Sequence, residues 1–276
     1  MTRNTRLALG VVAVLAIAIG GGFALRAIWT SAKSHFASDD CTIGDYDLST
    51  DQAAVASTMV GAVTKYRIKL PERATVLVLA AGLQESKLTN LAPGEGDRDS
   101  VGVLQQRPSQ GWGGGSAARL TDVGEATKEF LDKLVEVPHW QTLPLAEAVQ
   151  DVQISADGSL YAQHEAEAQA LADALQGRTP AGITCSFGKP TKVASAATVA
   201  QQAGSQLGID TPTAADLRTV RVPGAAWQTA AWFVANADRL GIDQVAYDRR
   251  QWTRSDGWKK STAPVTAVVA SMYVKK

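Results

Sequence analysis

The sequence predicts an α+β protein in three parts: an N-terminal membrane helix, an all-α domain and a small C-terminal α/β domain. Three observations predict it. An apolar run from Leu7 to Leu25, LALGVVAVLAIAIGGGFAL, sits between Arg3 and Arg6 on one side and Arg26 on the other. Helical patterning, with no strand-like alternation, fills the stretch between Cys41 and Cys185. Beyond it, LRTVRV, IDQVAYD and TAVVASMYV read as strands around the helical run GAAWQTAAWFVANADRL. The expected parts are a cytoplasmic N-terminus (1–6), a transmembrane signal anchor (7–28), a linker (29–40), the all-α domain (41–185), a second linker (186–215) and the α/β domain (216–276).

The apolar run is roughly 19 residues long, close to the ~20 a helix needs to cross the hydrocarbon core. A cleaved signal peptide has a shorter apolar core followed by a small-x-small site, and GGFA before Arg26 fits that poorly. The run therefore reads as an uncleaved, single-pass anchor in the cell membrane, with the bulk of the chain extracytoplasmic; cleavage would make the protein secreted. Arg26 and Lys33 on the far side work against the usual basic bias of cytoplasmic flanks.

The two cysteines both lie beyond the anchor. Exported thiols in even number pair, so Cys41 and Cys185 are expected to form a disulfide. It would close a loop of roughly 140 residues, which the chain-entropy model values at about 5 kcal/mol. The CxxC and HxxxH spacings of zinc sites are missing; no metal or other cofactor is expected. Lys plus Arg, 27, equals Asp plus Glu, 27, without a long run of either sign. A phosphate-binding surface leaves a basic footprint, so no nucleic-acid partner is expected.

Within 41–185 the helices follow in order. Ser49 and Gln52 have capping-box spacing ahead of AAVASTMVGAV, which starts a helix near Thr50. Pro71 suits a first helical turn, and PERATVLVLAAGLQES runs to about Ser86 with apolar residues on nearly every face, the mark of a helix surrounded by protein. Seven glycines between Gly94 and Gly115 make the next segment loop. Further helices are predicted over Asp122–Val137, with Asp122 as cap, over Pro144–Ile154 and over Tyr161–Leu175. Residues 187–213, rich in Ala, Ser, Thr, Gln and Gly, read as a tether holding a helix near Ala194–Leu207.

The residue types with chemistry concentrate between Leu83 and Gly113, LQESKLTNLAPGEGDRDSVGVLQQRPSQGWG. Glu85 falls near the C-terminal end of the apolar helix. The negative helix end and apolar surroundings both disfavour a carboxylate there and raise its pKa. A glutamic acid kept protonated near neutral pH is what glycosidic cleavage needs to protonate the leaving oxygen. A surface Glu in a fraying last turn is the plainer alternative. A two-carboxylate hydrolase needs a partner about 5 to 9 Å away, and Glu95, Asp97 and Asp99 are the loop acids that could supply it; a solvated turn paired with Arg98 is the competing reading. Trp112 is either a stacking platform for a sugar ring or a core anchor. His35, His139 and His164 are isolated and read as structural or exposed.

Helix–Glu85–Ser86, a loop, then Ser100-x-Gly102-x-Leu104-Gln105 resembles the lysozyme-like lytic transglycosylases. Segment 41–185 also resembles a group of exported actinobacterial proteins through the blocks LQESKL, GDRDS and LQQRPSQGWG, the flanking cysteines and YAQHE (Tyr161–Glu165). That resemblance covers about half the chain. It implies a lysozyme-like fold for the helical domain, Glu85 as the single catalytic acid/base, and glycan contacts from Ser86, Ser100, Gln105, Gln106, Trp112, Gln153 and Tyr161. The family's Ala-Tyr-Asn-x-Gly segment is replaced here by AVQDVQIS, Ala148–Ser155. Gln150 and Gln153 then substitute for its hydrogen bonds, or Tyr161 reaches in from the next helix. The C-terminal segment resembles the tail domain of related exported proteins, but the His-rich end of some relatives is VVASMYVKK here, so no metal or peptidase role carries over.

The expected function is cleavage of the MurNAc–GlcNAc bond of peptidoglycan glycan strands by a lytic transglycosylase-like enzyme held to the membrane by its N-terminal helix. The alternative is a catalytically weak or inactive protein that binds peptidoglycan or a cell-wall or division partner. A transport or metal-handling role finds no ligand cluster to support it.

Overall fold

The computed structural model describes residues 39–155, 157–210, 212–224, 226–262 and 265–275. The anchor expected over 7–28 and His35 lie outside the described residues. Among the described residues no helix is long and apolar enough to cross a membrane.

Asp39–Lys276 is one compact unit. It opens with a hairpin of β1 (Asp40–Ile43) and β2 (Tyr46–Ser49), followed by helices α1 (Thr50–Thr64) and α2 (Arg73–Ser86). Next come α3 (Ala117–Leu120), α4 (Val123–Leu134), α5 (Leu145–Gln153), a 3-10 turn at Gly158–His164, α6 (Glu165–Leu175) and β3 (Ile183–Ser186). The C-terminal part holds α7 (Ala196–Leu207), β4 (Thr213–Ala214), β5 (Thr219–Val222), α8 (Trp227–Ala235), α9 (Ala237–Leu240), β6 (Ile242–Tyr247), β7 (Arg250–Thr253), β8 (Gly257–Lys260) and β9 (Val268–Met272).

The fold class expected from sequence needs correction. The described chain is mixed α/β with two antiparallel sheets, ordered β2-β1-β3 and β4-β5-β9-β6-β7-β8. The segment between the cysteines is not all-α, because it begins and ends in strands that pair with each other. Cys41 lies opposite Cys185 in the β1–β3 register, and the two are joined by a disulfide across a sequence separation of 144. These strands are four residues each, too short to show an alternation above noise.

The helix expected near Ala194–Leu207 within residues 187–213 is present as α7 (Ala196–Leu207), and it packs against α1. Ser195 caps α7 by accepting from Thr198 N, and Ala196, Val199, Ala200, Ala203 and Leu207 turn inward. The inward residues are mostly alanine, so the face is apolar but small, which is why composition alone reads as linker. Gly61 of α1 lets the two helices touch: a Cβ there would lie 2.4 Å from the Gln206 carbonyl oxygen.

The helix starts follow local chemistry. Ser49 and Gln52 form the predicted capping box, each side chain bonded to the other's backbone N–H. Asp122 caps α4 through Glu125 N at 3.0 Å. Pro71 instead precedes the cap residue Glu72, outside the helix. α2 is buried from Ala74 to Leu83 and packs against α1, α4, α5, α6 and the 3-10 turn. An apolar helix without an exposed face can only be satisfied this way.

The six-stranded sheet meets the helical part through α8, which packs on α1, α6 and β3. Its polar groups are matched. Asn236 Nδ2 donates to Ser57 Oγ at 2.9 Å, Gln228 Nε2 to Thr64 Oγ1 at 2.6 Å, Trp252 Nε1 to the Cys185 carbonyl at 3.0 Å and Trp258 Nε1 to that of Ile183 at 2.8 Å. Buried polar groups must be paired to be tolerated, and these pairs key the two parts into one register. The C-terminal indoles are thereby occupied in holding the seam.

Candidate functional site: Glu85 at the end of a buried helix

α2 ends in two consecutive left-handed residues, Lys87 (φ 54°) and Leu88 (φ 59°). Lys87 N bonds the Leu83 carbonyl and Leu88 N that of Gly82, closing the last turn. This tight stop fixes Gln84, Glu85 and Ser86 at a defined helix end, half-buried.

Glu85 Oε1 accepts a 2.5 Å hydrogen bond from the hydroxyl of Tyr161, which is fully buried in the 3-10 turn. Gln153, the last residue of α5, lies close enough to the Glu85 carboxyl to act on its charge. Burial raises the Glu85 pKa above its ordinary value, and the Tyr161 hydroxyl and the Gln153 amide pull it partly back. Burial dominates, so the site favours the neutral acid. The same pair pushes the Tyr161 phenol up, through burial first and the Glu85 bond second. Of the substitutes considered for the Ala-Tyr-Asn-x-Gly element, Tyr161 and Gln153 reach the acid. Gln150 does not: its amide bonds the Ser155 carbonyl at 2.8 Å and receives the Ser155 hydroxyl at 2.6 Å.

The next loop is stapled to this helix end. Ser86 Oγ donates to the Val103 carbonyl at 2.8 Å, and Gln153 Nε2 donates to the Leu104 carbonyl at 2.9 Å. Gly102 makes the approach feasible. Its φ is +76°, and a Cβ would lie 2.2 Å from the Leu120 carbonyl oxygen, so both conformation and space require glycine. Ser86 is thus a positioning residue for the loop wall.

The remaining predicted contacts divide. Gln105, half-buried and left-handed (φ 46°), turns its amide back on the Gly102 carbonyl at 2.9 Å. Gln106 is buried and donates to the Ala126 carbonyl of α4 at 3.1 Å; its Oε1 has no hydrogen-bond partner among the described residues. Ser100 is buried, its N–H bonded to the Asp97 carbonyl at 2.9 Å. Trp112 is only 5% exposed, with Lys133 Nζ 3.5 Å from its ring centroid. That makes it the core anchor rather than the exposed stacking platform, and the glycines around it shape 3-10 turns instead of an open loop.

The loop acids are occupied locally. Asp99 bonds Arg107 Nε and Ser109 N, each at 2.8 Å, and these bonds hold its carboxyl far below the usual range. Glu95 accepts from Ala92 N at 2.7 Å, and Asp97 lies 3.8 Å from Arg98 on the exposed side. No carboxylate is among the groups that shift Glu85.

Sequence reasoning passed over a flanking polar group. Gln84 Oε1 meets both Gln163 Nε2 and His164 Nε2 at 3.0 Å, and burial lowers the His164 pKa. The i, i+1 spacing from Glu85 to Gln84 and the YAQHE run were the available signal. His139 is exposed at a left-handed turn. Among the described residues no group of His, Cys, Asp and Glu is arranged to hold a metal ion. A cavity of about 530 Å³ lies elsewhere, beyond the helix end among Leu88, Thr89 and Asn90; the case for Glu85 therefore rests on its chemistry rather than on concavity. No protein-family model matches the chain, and no curated protein matches it.

Proposed function

We propose that the protein cleaves the glycosidic backbone of peptidoglycan, with Glu85 as the single general acid and then base. One observation carries the reading: a half-buried glutamic acid at a buried helix end, its pKa raised by burial, bonded to a buried tyrosine from a segment far along the chain. An acid in that state donates its proton to a leaving alkoxide and, once ionised, keeps the Tyr161 hydroxyl as a donor to stabilise it. With Glu95, Asp97 and Asp99 engaged in their own loop, the supported scheme uses one carboxylate. Glu85 protonates the leaving oxygen as the substrate's acetamido oxygen closes on the anomeric carbon. It then takes the proton of the same sugar's 6-hydroxyl as that oxygen displaces the acetamido oxygen and leaves a 1,6-anhydro end.

The purified chain incubated with peptidoglycan should release anhydro-muropeptides, and Glu85→Gln should reduce that release at least ~10²-fold, the scale of one general-acid contribution. Sedimentation with peptidoglycan separates the alternative, a protein that binds the wall polymer or a division partner without cutting it. Binding without product, or cleavage indifferent to Glu85, rules out the enzymatic reading. The position of the 530 Å³ cavity away from Glu85 is the observation on the side of that alternative.

A further inference from the structure

Several arginines in this fold are paired. Arg254, 4% exposed, donates to the carbonyls of Gly188, Ala237 and Ile242 and to Asp238 at 2.9–3.1 Å. Arg107, Arg119 and Arg178 each meet a carboxylate. Arg239, a solvent-exposed residue, has only neutral partners among the described residues. Its Nε donates to Asn236 Oδ1 at 2.6 Å and its Nη1 to Gln202 Oε1 at 2.7 Å, both neutral, and no carboxylate among the described residues pairs with it. Nη2 makes no hydrogen bond among the described residues, so one edge of the guanidinium fork is open. The side chain is nonetheless held in place, because Asn236 is fully buried and fixed by Ser57 Oγ at 2.9 Å and the Trp232 carbonyl at 2.8 Å.

Arg239 lines the cavity of about 530 Å³, inside the range of small-ligand sites. The same cavity is lined by Asp51, in the first turn of α1, which makes no ion pair or side-chain hydrogen bond among the described residues. Asp122, also in the lining, spends Oδ1 on capping α4. Arg239 and Asp51 thus share one cavity, carry opposite charges and do not pair with each other. Ala54, Val55 and Leu88 line the same cavity as apolar wall, and Gln206, whose Oε1 accepts from Trp232 Nε1 at 2.8 Å, has no partner for its amide N–H groups among the described residues.

We propose that this cavity binds a short zwitterionic peptide, its carboxylate on the open edge of Arg239 and its ammonium on Asp51. A neutral sugar would leave both charges unanswered, and a simple anion would leave Asp51 facing it. A guanidinium held by fixed neutral acceptors loses little freedom on taking a carboxylate. The site is independent of Glu85, which none of these residues touches.

Calorimetric titration of the full chain tests this with two probes, tri-alanine and the wall-type tripeptide Ala-γ-Glu-diaminopimelate, each also N-acetylated and as the C-terminal amide. At least one free tripeptide should bind with a Kd at or below ~1 mM, and each cap should weaken it roughly tenfold. Arg239→Gln should abolish the penalty for the amide cap, and Asp51→Asn the penalty for acetylation. Preference between the probes tells a wall peptide from peptides in general. Absence of binding at roughly ten times that concentration, or capped and free forms binding alike, overturns the proposal. Asp51 is exposed, so Asp51→Asn keeps the test decisive if Arg239→Gln does not fold. Muropeptide release is read separately in Asp51→Asn, where it should be unchanged, so failure here is distinct from failure of the Glu85 reading.

Discussion

Replacing Tyr161 by Phe removes one oxygen and leaves the buried ring in place. That oxygen donates to Glu85 at 2.5 Å, so the cost depends on which form of Glu85 receives it. A hydrogen bond to an ionised acceptor is worth about 1.5–3 kcal/mol, against about 0.5–1.5 kcal/mol between neutral groups. Burial raises the Glu85 pKa, so near pH 4 the acceptor is the neutral acid and Tyr161→Phe should cost about 1 kcal/mol. Above the raised folded-state pKa of Glu85 the acceptor is the carboxylate and the cost should approach about 2 kcal/mol. The difference, about 1 kcal/mol, is roughly 2–4 °C in Tm for a unit of this size. Urea unfolding of wild type and variant at both pH values reads it directly. In activity, losing a donor that lowers the Glu85 pKa lets the acid form persist to higher pH, so the alkaline limb of the rate profile should move up. An equal cost at pH 4 and at a pH above the folded-state pKa of Glu85 would refute the coupling, because the hydroxyl would then be ignoring the charge on Glu85.

Three further outcomes are expected. Because the folded-state pKa of Glu85 lies above its ordinary value of 4.5, folded protein holds a proton that unfolded chain has released; the stabilising difference is complete below 4.5 and is lost as pH rises through the folded value. Glu85→Gln should therefore match wild type near pH 4 and exceed it in urea midpoint near pH 8, and a deficit at pH 8 would contradict a raised pKa. Opening the Cys41–Cys185 bond frees a loop spanning 144 positions and should cost about 5 kcal/mol in the chain-entropy model, measured as the urea midpoint of a double Ser variant; a loss under about 1 kcal/mol would place the constraint elsewhere. Trp112→Ala should destabilise by about 3–5 kcal/mol as a buried aromatic deletion, measured as the urea midpoint; a loss under about 1 kcal/mol would mean the ring is not the core anchor its burial makes it.

What could be read from the chain depended on how local the signal was. Ser49, Gln52 and Asp122 act within one helical turn, and all three were legible as caps. The burial of α2 was legible because VLVLAAGL has no polar side to show. β1, β2 and β3 were not legible: each is four residues long, and the pairing that joins β1 to β3 spans more than a hundred residues, hinted at only by the cysteines. β7 and β8, in RRQWTRSDGWKK, look like a charged loop until Trp252 and Trp258 find the Cys185 and Ile183 carbonyls. At the site, Glu85 and its partner Tyr161 were singled out by the family resemblance, since the residues alone left Glu85 readable as a surface acid in a fraying turn. Trp112 could not be assigned, because what closes its ring is Lys133 from a different helix. Asp99 looked like a candidate acid until Arg107 and Ser109 were seen to enclose it.

The disulfide has a mechanical meaning as well. Cys41 and Cys185 face each other across adjacent strands, at the entrance and exit of the helical part. Tension applied between residue 39 and the C-terminal sheet passes from Cys41 straight into Cys185 through the S–S bond. The intervening residues, Glu85 among them, lie on a covalent bypass that carries no load. A pull strong enough to peel the C-terminal strands apart would leave the helix end at Glu85 unstretched until that bond is reduced.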